Sequence, residues 1–205
     1  MTTQPAPRFT VPGMSTQDGA AVAATLQDRL NALNDLALTL KHVHWNVVGP
    51  NFIAVHEMLD PQIDGVRAMV DVLAERMSTL GVPPNGLVGA LVAARSWDDY
   101  SLTRADTTAH LAALDLVYTG VVEDHRAAIE KVGDDPVTED ILIGQTGELE
   151  QYQWFIRAHL QGTGGELVTG NASDEVTAAT RAVNRTAAKK TAGRKTAARK
   201  TARTS

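Results

Sequence analysis

The chain has 205 residues, of which 43% are hydrophobic and none is cysteine, and its formal net charge is −5 at pH 7. The lack of cysteine excludes structural disulfides, thiolate metal sites and thiol redox catalysis. No apolar run approaches the roughly 20 residues that span a membrane, and the first residues lack the basic start and apolar core of a signal peptide. We therefore expect a cytoplasmic protein that has no membrane partner.

The first predicted element is an N-terminal arm, residues 1–14, with three prolines and no hydrophobic periodicity. Ser15, followed by Asp18, resembles a capping box and predicts a long first helix that ends near Asn46. Apolar residues recur every three or four positions along this helix, as on the buried face of a bundle helix. Gly49 and Pro50 then break the chain, and a second helix is predicted over about 51–80.

The segment GVPPNG, residues 81–86, ends the second helix, and a long connection follows in which residues 90–95 predict a short extra helix. A third helix is predicted over about 101–132. A fourth runs from Pro136, a favoured first helical residue, to Leu160, and the glycines that follow end it. Four long helices with one long middle connection predict an all-α, ferritin-like four-helix bundle over residues 15–161.

Five residues with metal-binding side chains follow one another at spacings of twelve, four, eleven and four: His44, His56, Asp60, Asp71 and Glu75. Imidazole nitrogen combined with carboxylate oxygen suits iron, manganese or zinc. Taken singly, each is a typical residue of a solvated helix face. The last four, however, lie on one stripe of the second helix, where each residue advances by about 100°. This shared stripe favours a metal site.

The metal site cannot lie within one chain, because the eleven residues between Asp60 and Asp71 cover about 16 Å of helix. If two copies of the helix pack antiparallel about a two-fold axis near positions 65 and 66, His56 comes opposite Glu75 of the partner subunit, and Asp60 opposite Asp71. Gly65 would lie at the crossing point, where a missing side chain allows close approach. The sequence thus predicts a site shared between two subunits.

The segment KHVHWNVVGPNFIAVHEMLD, residues 41–60, followed by DVLAER, residues 71–76, resembles the ferroxidase signature of the Dps family. This family comprises the miniferritins called DNA-binding proteins from starved cells. The likeness extends to GELEQYQWFIRAHL, residues 147–160. It implies a homododecameric shell that oxidises Fe(II), with hydrogen peroxide preferred over dioxygen, and stores a ferric mineral core. It also implies that three of the ligands, His44, His56 and Asp60, come from one subunit and Asp71 and Glu75 from its two-fold mate.

The resemblance assigns roles to three further residues. Trp45 is expected beside the iron centre, where it would quench a stray radical, although a core aromatic that closes the first helix is an alternative. Glu150, and next Asp140, are expected to line an iron-entry pore, because acidic rings concentrate cations. A plain solvated helix face is the alternative for these two carboxylates. The remaining candidates have no partner at comparable spacing and are assigned to the surface or the core: Lys41, His42, His110, His125 and His159.

Residues 162–205 predict a glycine-containing linker and a disordered basic tail, because they contain few large apolar side chains. All 24 acids lie in residues 1–175, whereas residues 176–205 hold nine bases and no acid. Nine phosphate contacts would give a salt slope of roughly −8 per tail, and the lack of aromatic residues predicts DNA binding without sequence preference. A solubilising tail is the alternative. The predicted DNA-binding residues are Arg181, Arg185, Lys189, Lys190, Arg194, Lys195, Arg199, Lys200 and Arg203.

Together these patterns predict a cytoplasmic, nucleoid-associated miniferritin. Its ferroxidase activity would store iron, and its non-specific DNA binding would protect DNA from oxidative damage. The alternative is an architectural, nucleoid-compacting DNA-binding protein whose metal site is structural or vestigial. An ordinary di-iron bundle enzyme is disfavoured, because the Glu-x-x-His pairs of such sites do not occur in this sequence.

Overall fold

The computed structural model describes residues 7–162 and 164–201, with side chains up to residue 188 and at residue 191. Two short strands, β1 (Val47–Val48) and β2 (Ala105–Asp106), pair in parallel with Val47 opposite Ala105. The predicted four-helix bundle with a short extra helix is confirmed. Its helices are α1 (Thr16–Asn46), α2 (Phe52–Thr79), α3 (Val88–Ala94), α4 (Thr107–Val132) and α5 (Pro136–Leu160), and a further helix, α6 (Glu175–Thr201), follows them.

The long helices α1 and α2 form an antiparallel pair that contributes one half of the core. α1 begins as predicted, because the Ser15 hydroxyl accepts a hydrogen bond from the Asp18 amide at 3.0 Å. Leucines from α1, α2 and α4 that are fully shielded from solvent fill the interior of the bundle. None of the helices in the described ranges combines the length and hydrophobicity that crossing a bilayer requires.

The turn between α1 and α2 and the end of α2 both depend on glycine. Gly49 has a φ of +110° and Gly81 a φ of +81°, a region that other residues rarely adopt. A side chain at Gly81 would also collide with the backbone carbonyl of Phe9 in the N-terminal arm. The arm is therefore packed against the end of α2 at this point, while its residues 1–6 lie outside the described part of the chain.

α4 begins later than the sequence predicted. Residues 101–106 pass beside the end of α1, and the last two of them form β2. The helix therefore starts only at Thr107, where the Asp106 side chain accepts a hydrogen bond from the Ala109 amide at 2.9 Å. α5 begins at Pro136 as predicted. Arg76 at the end of α2 donates to Asp135 at 2.8 Å and to Thr138 at 2.9 Å. These contacts fix the start of α5 against the end of α2.

Where the sequence predicted a disordered tail, the structure has a helix, α6, over residues 175–201. Its first turns pack against α4 and bury Ala178, Ala179 and Ala182. Asp174 caps the helix by accepting from the Thr177 amide at 2.8 Å, a hydrogen bond that also lowers the pKa of Asp174. Alanine is the best helix former, and its small side chain packs closely on a neighbouring helix without a large apolar group. Residues 202–205 lie outside the description.

A buried carboxylate, Asp115 on α4, connects the bundle to the segment that precedes α6. Its side chain is 4% exposed and lies 2.6 Å from Nε of Arg157. It also accepts from the Gln153 amide at 3.0 Å and from the Thr169 hydroxyl at 3.0 Å. Three donors therefore compensate for the loss of solvation of this carboxylate.

We expect the Asp115→Ala substitution to lower the free energy of unfolding by about 2 kcal/mol, because three donors lose a charged acceptor. Urea unfolding followed by circular dichroism, at one protein concentration, measures the change. Asp28→Ala, at an exposed position of α1, is the matched control and should change stability by less than about 0.5 kcal/mol. Equal unfolding midpoints for the two variants would contradict this account of Asp115.

Candidate metal centre

Two of the predicted ligands, His44 near the end of α1 and His56 at the start of α2, are bound to each other's backbone. Nδ1 of His44 lies 3.0 Å from the carbonyl oxygen of His56, and Nδ1 of His56 lies 2.9 Å from the carbonyl oxygen of His44. The ring centroids are 3.6 Å apart, with 24° between the ring planes. The glycine turn at Gly49 makes this reciprocal contact possible, because it folds α2 directly back on α1.

The reciprocal hydrogen bonds determine which nitrogen of each ring is available to a ligand. A carbonyl oxygen only accepts, so Nδ1 of both rings carries the proton and Nε2 of both presents a lone pair. Histidines that bind metals are commonly oriented in this way, by a hydrogen bond from the second ring nitrogen. The arrangement of His44 and His56 is therefore suited to two imidazole ligands.

Asp60 lies one turn after His56, and its carboxylate is half exposed. One of its oxygens, Oδ1, lies 3.3 Å from Nδ1 of His44 and 2.9 Å from Nζ of Lys41. The hydrogen bond from Lys41 holds the pKa of Asp60 below its usual value, with the two histidines acting in the same direction. Asp60 is therefore ionised at neutral pH. We call His44, His56 and Asp60 the histidine half-site.

Lys41, which the sequence assigned to the surface or the core, pairs with a predicted ligand, Asp60. Lys41 lies on α1, nineteen residues before Asp60, and the two side chains meet only because α1 and α2 pack together. Sequence spacing carries no sign of such a contact, since it depends on how two helices are rotated against each other.

The other two predicted ligands, Asp71 and Glu75, lie exposed further along α2, and we call them the acidic half-site. The fifteen residues from His56 to Asp71 cover about 22 Å of helix. Across the described part of a single chain, no three His, Asp or Glu side chains come together in a way that would hold a metal ion. The structure brings His44, His56 and Asp60 together and keeps Asp71 and Glu75 apart from them.

Gly65 does not have the surroundings that the sequence analysis expected. A side chain at this position would meet Tyr152, whose ring carbon Cζ lies 3.2 Å away, and Glu148, whose Oε1 lies 2.9 Å away. Both belong to α5 of the same chain, and the Tyr152 hydroxyl donates to Glu148. Gly65 lies nine residues after His56, about 180° around the helix from it. Its missing side chain thus makes room for α5.

Trp45 follows His44 and is 71% exposed in the single chain, so it is not part of the core of the subunit. Its expected role beside the iron centre stays a prediction. Two other histidines, His110 and His125, are fully buried in the bundle, in agreement with their assignment to the core. Burial, together with the nearby Arg29, lowers the pKa of His125 to about 4, so this ring is neutral at neutral pH.

The two residues expected at an iron-entry pore, Glu150 and Asp140, lie at different heights on α5. Glu150 accepts from the Arg126 guanidinium, with Nε at 2.9 Å, while Asp140 is exposed. The ten residues between them cover about 15 Å of helix, so the two carboxylates cannot belong to one ring of a pore. Their assignment to the pore stays a prediction.

Two of the nine predicted DNA-binding residues form contacts within the chain. Arg181 donates to the carbonyl of Gly170 at 2.8 Å, and Arg185 lies 2.6 Å from Oε1 of Glu166. Both contacts hold the start of α6 to the preceding segment. Arg203 lies outside the described residues. The same holds for the side chains of six further bases: Lys189, Lys190, Arg194, Lys195, Arg199 and Lys200.

Comparison with known proteins shows to which family the chain belongs. The ferritin-like domain family matches residues 23–164. The "DNA protection during starvation protein" of Mycolicibacterium smegmatis is 56% identical over 180 residues, which cover 87% of this chain and 98% of that protein. The "fine tangled pili major subunit" of Haemophilus ducreyi is 55% identical over 159 residues, 77% of this chain and 84% of that protein. The solved structure of DpsA14 from Streptomyces coelicolor is 61% identical and has a TM-score of 0.80, with 82% of this chain and 100% of that chain covered.

We expect the Gly65→Ala substitution to destabilise the subunit by about 1 to 3 kcal/mol, because the added methyl group collides with Tyr152. In a Tyr152→Phe background, which removes the colliding hydroxyl group, the same substitution should cost clearly less. Urea unfolding of the four proteins of this double-mutant cycle measures the difference. An identical cost in both backgrounds would show that the close neighbour of Gly65 is not Tyr152.

Proposed function

Because this chain belongs to the ferritin-like Dps family, we propose that it is a ferroxidase whose active sites are each completed by two subunits. The observation that carries the proposal is the histidine half-site. Two imidazoles, locked with Nε2 available, lie beside an ionised carboxylate on the surface of α2. Such a half-site lacks enough ligands by itself, and the acidic half-site of a two-fold mate supplies Asp71 and Glu75.

The substrate that this donor set fits is Fe(II). Neutral imidazole and carboxylate are ligands for divalent iron, and the absence of thiolates suits a site from which the harder ferric ion is released. We propose that His44, His56 and Asp60 bind the ion from one subunit and that Asp71 and Glu75 bind it from the other. Two electrons from a pair of ferrous ions, with two protons, reduce hydrogen peroxide to two water molecules without releasing hydroxyl radical. Dioxygen is the alternative oxidant.

The remaining parts of the proposed function concern the shell. Twelve subunits would enclose a cavity that stores the ferric mineral, with Glu150 and Asp140 on the path by which iron enters. Trp45, adjacent to His44 and exposed, would intercept a radical formed at the site. We propose a cytoplasmic, nucleoid-associated location, because the protein would there shield DNA from peroxide and free iron.

DNA binding is assigned to the basic tail. Residues 1–175 hold all 24 acids and only ten of the 19 Lys and Arg residues, so this part of the chain repels a polyanion. The bases beyond Ala188 number seven, and they follow the turns of α6 that bury Ala178, Ala179 and Ala182. We propose that these seven residues contact phosphates without reading the sequence of the bases.

Subunit complementation tests the shared site. We expect His56→Ala and Asp71→Ala shells each to lose peroxide-dependent Fe(II) oxidation, because each variant breaks every site. When the two variants are unfolded and reassembled together, an interface between unlike subunits contains one site with all its ligands. Random pairing therefore restores about a quarter of the wild-type sites. Stopped-flow absorbance of ferric iron formation measures the recovery.

Two controls make the complementation experiment decisive. Each variant reassembled with itself should remain inactive, and a mixture of His56→Ala with His44→Ala should also stay inactive, because both substitutions fall in the same half-site. Recovery in that second mixture would contradict the assignment of the half-sites. Unchanged oxidation in the single variants would favour the architectural DNA-binding protein with a vestigial metal site.

Truncation after Ala188 tests the tail while keeping the turns of α6 that pack on α4. We expect the truncated protein to lose DNA mobility shift, and the full chain to show a salt slope of roughly −6 per tail, since seven bases remain for phosphate contacts. A full-length variant with Lys189→Gln and Lys190→Gln should show an intermediate slope. Undiminished DNA binding by the truncated protein would contradict the role of the tail.

A further inference from the structure

An open groove lies between α1, α4 and the segment of residues 95–101, with the beginning of α6 at its rim. Its cavity volume is about 350 Å³. Apolar and aromatic side chains form the floor, among them Leu36, Trp97 and Tyr100. The rim carries six carboxylates, and we call the whole the acidic groove. The carboxylates are Asp35, Asp98, Asp99, Asp124, Asp174 and Glu175.

The cations of the groove do not balance its acids. Arg95 lies 3.6 Å from Asp35 and 2.6 Å from Asp99, and Arg29 lies 3.3 Å from Asp124. Two guanidinium groups against six carboxylates leave a formal charge of −4. Most of this charge faces the solvent, because four of the six carboxylates belong to exposed residues, Asp98, Asp99, Asp124 and Asp174.

An apolar floor with an acidic rim recognises one kind of side chain particularly well. Lysine and arginine pack their alkyl stems on apolar surface while their charged ends reach carboxylates. An aromatic ring such as Trp97 adds attraction for a cation. Small residues between the bases would let a peptide backbone approach the groove closely. The chemistry of the groove thus fits a peptide rich in Lys, Arg, Ala and Thr.

This chain contains such a peptide in its own tail, residues 189–203. The segment has seven bases and no acid, and its other residues are alanine, threonine and a single glycine. The charges of the groove and of the tail are therefore complementary, and no external partner is required to supply the peptide.

The tail cannot reach the groove of its own subunit. α6 begins at the rim with Glu175, and Lys189 follows fourteen residues later, about 21 Å along the helix axis. The bases that lie closer, Arg181 and Arg185, are bound to Gly170 and Glu166. An occupant of the groove must come from another copy of the chain.

We propose that the acidic groove binds the basic tail of a second copy of this chain when DNA is absent. The proposal shares the tail with the proposed DNA binding but does not depend on it. Carboxylates of the groove and phosphates of DNA bind the same lysine and arginine residues, so the two contacts exclude each other. DNA then releases the tails from the grooves.

Fluorescence anisotropy of a labelled peptide of residues 189–205, added to the full-length protein at low salt, tests the proposal. Asp98→Lys together with Asp99→Lys reverses two exposed charges of the groove. Asp28→Lys together with Glu130→Lys makes the same charge change at exposed positions outside it. We expect the groove variant to bind the peptide about tenfold more weakly than the wild type, and the control within about twofold of the wild type.

Peptide binding that is equal in the groove variant and the control would overturn the proposal. Unlabelled duplex DNA should bind the peptide and so remove it from the groove. When the protein is immobilised, the amount of labelled peptide that it retains should fall as DNA is added. A constant amount, although the peptide binds DNA in a separate titration, would overturn the mutual exclusion. A mobility shift of the groove variant should occur at the same DNA concentration as for the wild type or a lower one, because its tail is intact and is no longer held by a groove. The mobility shift therefore tests DNA binding by the tail separately from peptide binding by the groove.

Discussion

The rise of an α-helix, about 1.5 Å per residue, is the constraint on which the organisation of this protein depends. α2 has 28 residues and carries metal-binding side chains near both ends. A rigid helix cannot bring its two ends together, so the histidine half-site and the acidic half-site of one chain stay apart. One α2 thus places two different sets of side chains at its two ends, and in the proposed function a second copy of the chain brings the two sets together.

The apolar core does not determine how the helices are rotated against each other, whereas the buried polar contacts do. Leucines at helical spacing would hold α1, α2, α4 and α5 together in several relative rotations. Asp115 and the Arg76–Asp135 pair each require one arrangement, because their carboxylates are buried and must be matched by donors. The same principle operates at the histidine half-site, where backbone carbonyls of two helices fix two side-chain rings.

Much of this was readable from the sequence, because the signals are local. Ser15, Pro136 and the glycine-containing breaks marked helix ends to within a few residues, and the ligand spacings indicated a single stripe on α2. The Lys41–Asp60 contact and the placement of Gly65 against Tyr152 were not readable, since both depend on the rotation of one helix relative to another. α6 was not predicted, because its few large apolar residues indicated disorder, although its many alanines favour a helix.

The reciprocal bonding of His44 and His56 has a consequence for how such a site can be lost. Each imidazole supplies a proton to the backbone of the other helix, so replacing either ring leaves a carbonyl at the α1–α2 turn without its donor. Asp71 and Glu75 have exposed side chains, and the described part of the subunit shows no such hydrogen bond from them to the backbone of another helix. If the proposed iron binding were lost from such a chain, selection for folding would still act on the two histidines, whereas the two carboxylates at the far end of α2 would be free to change.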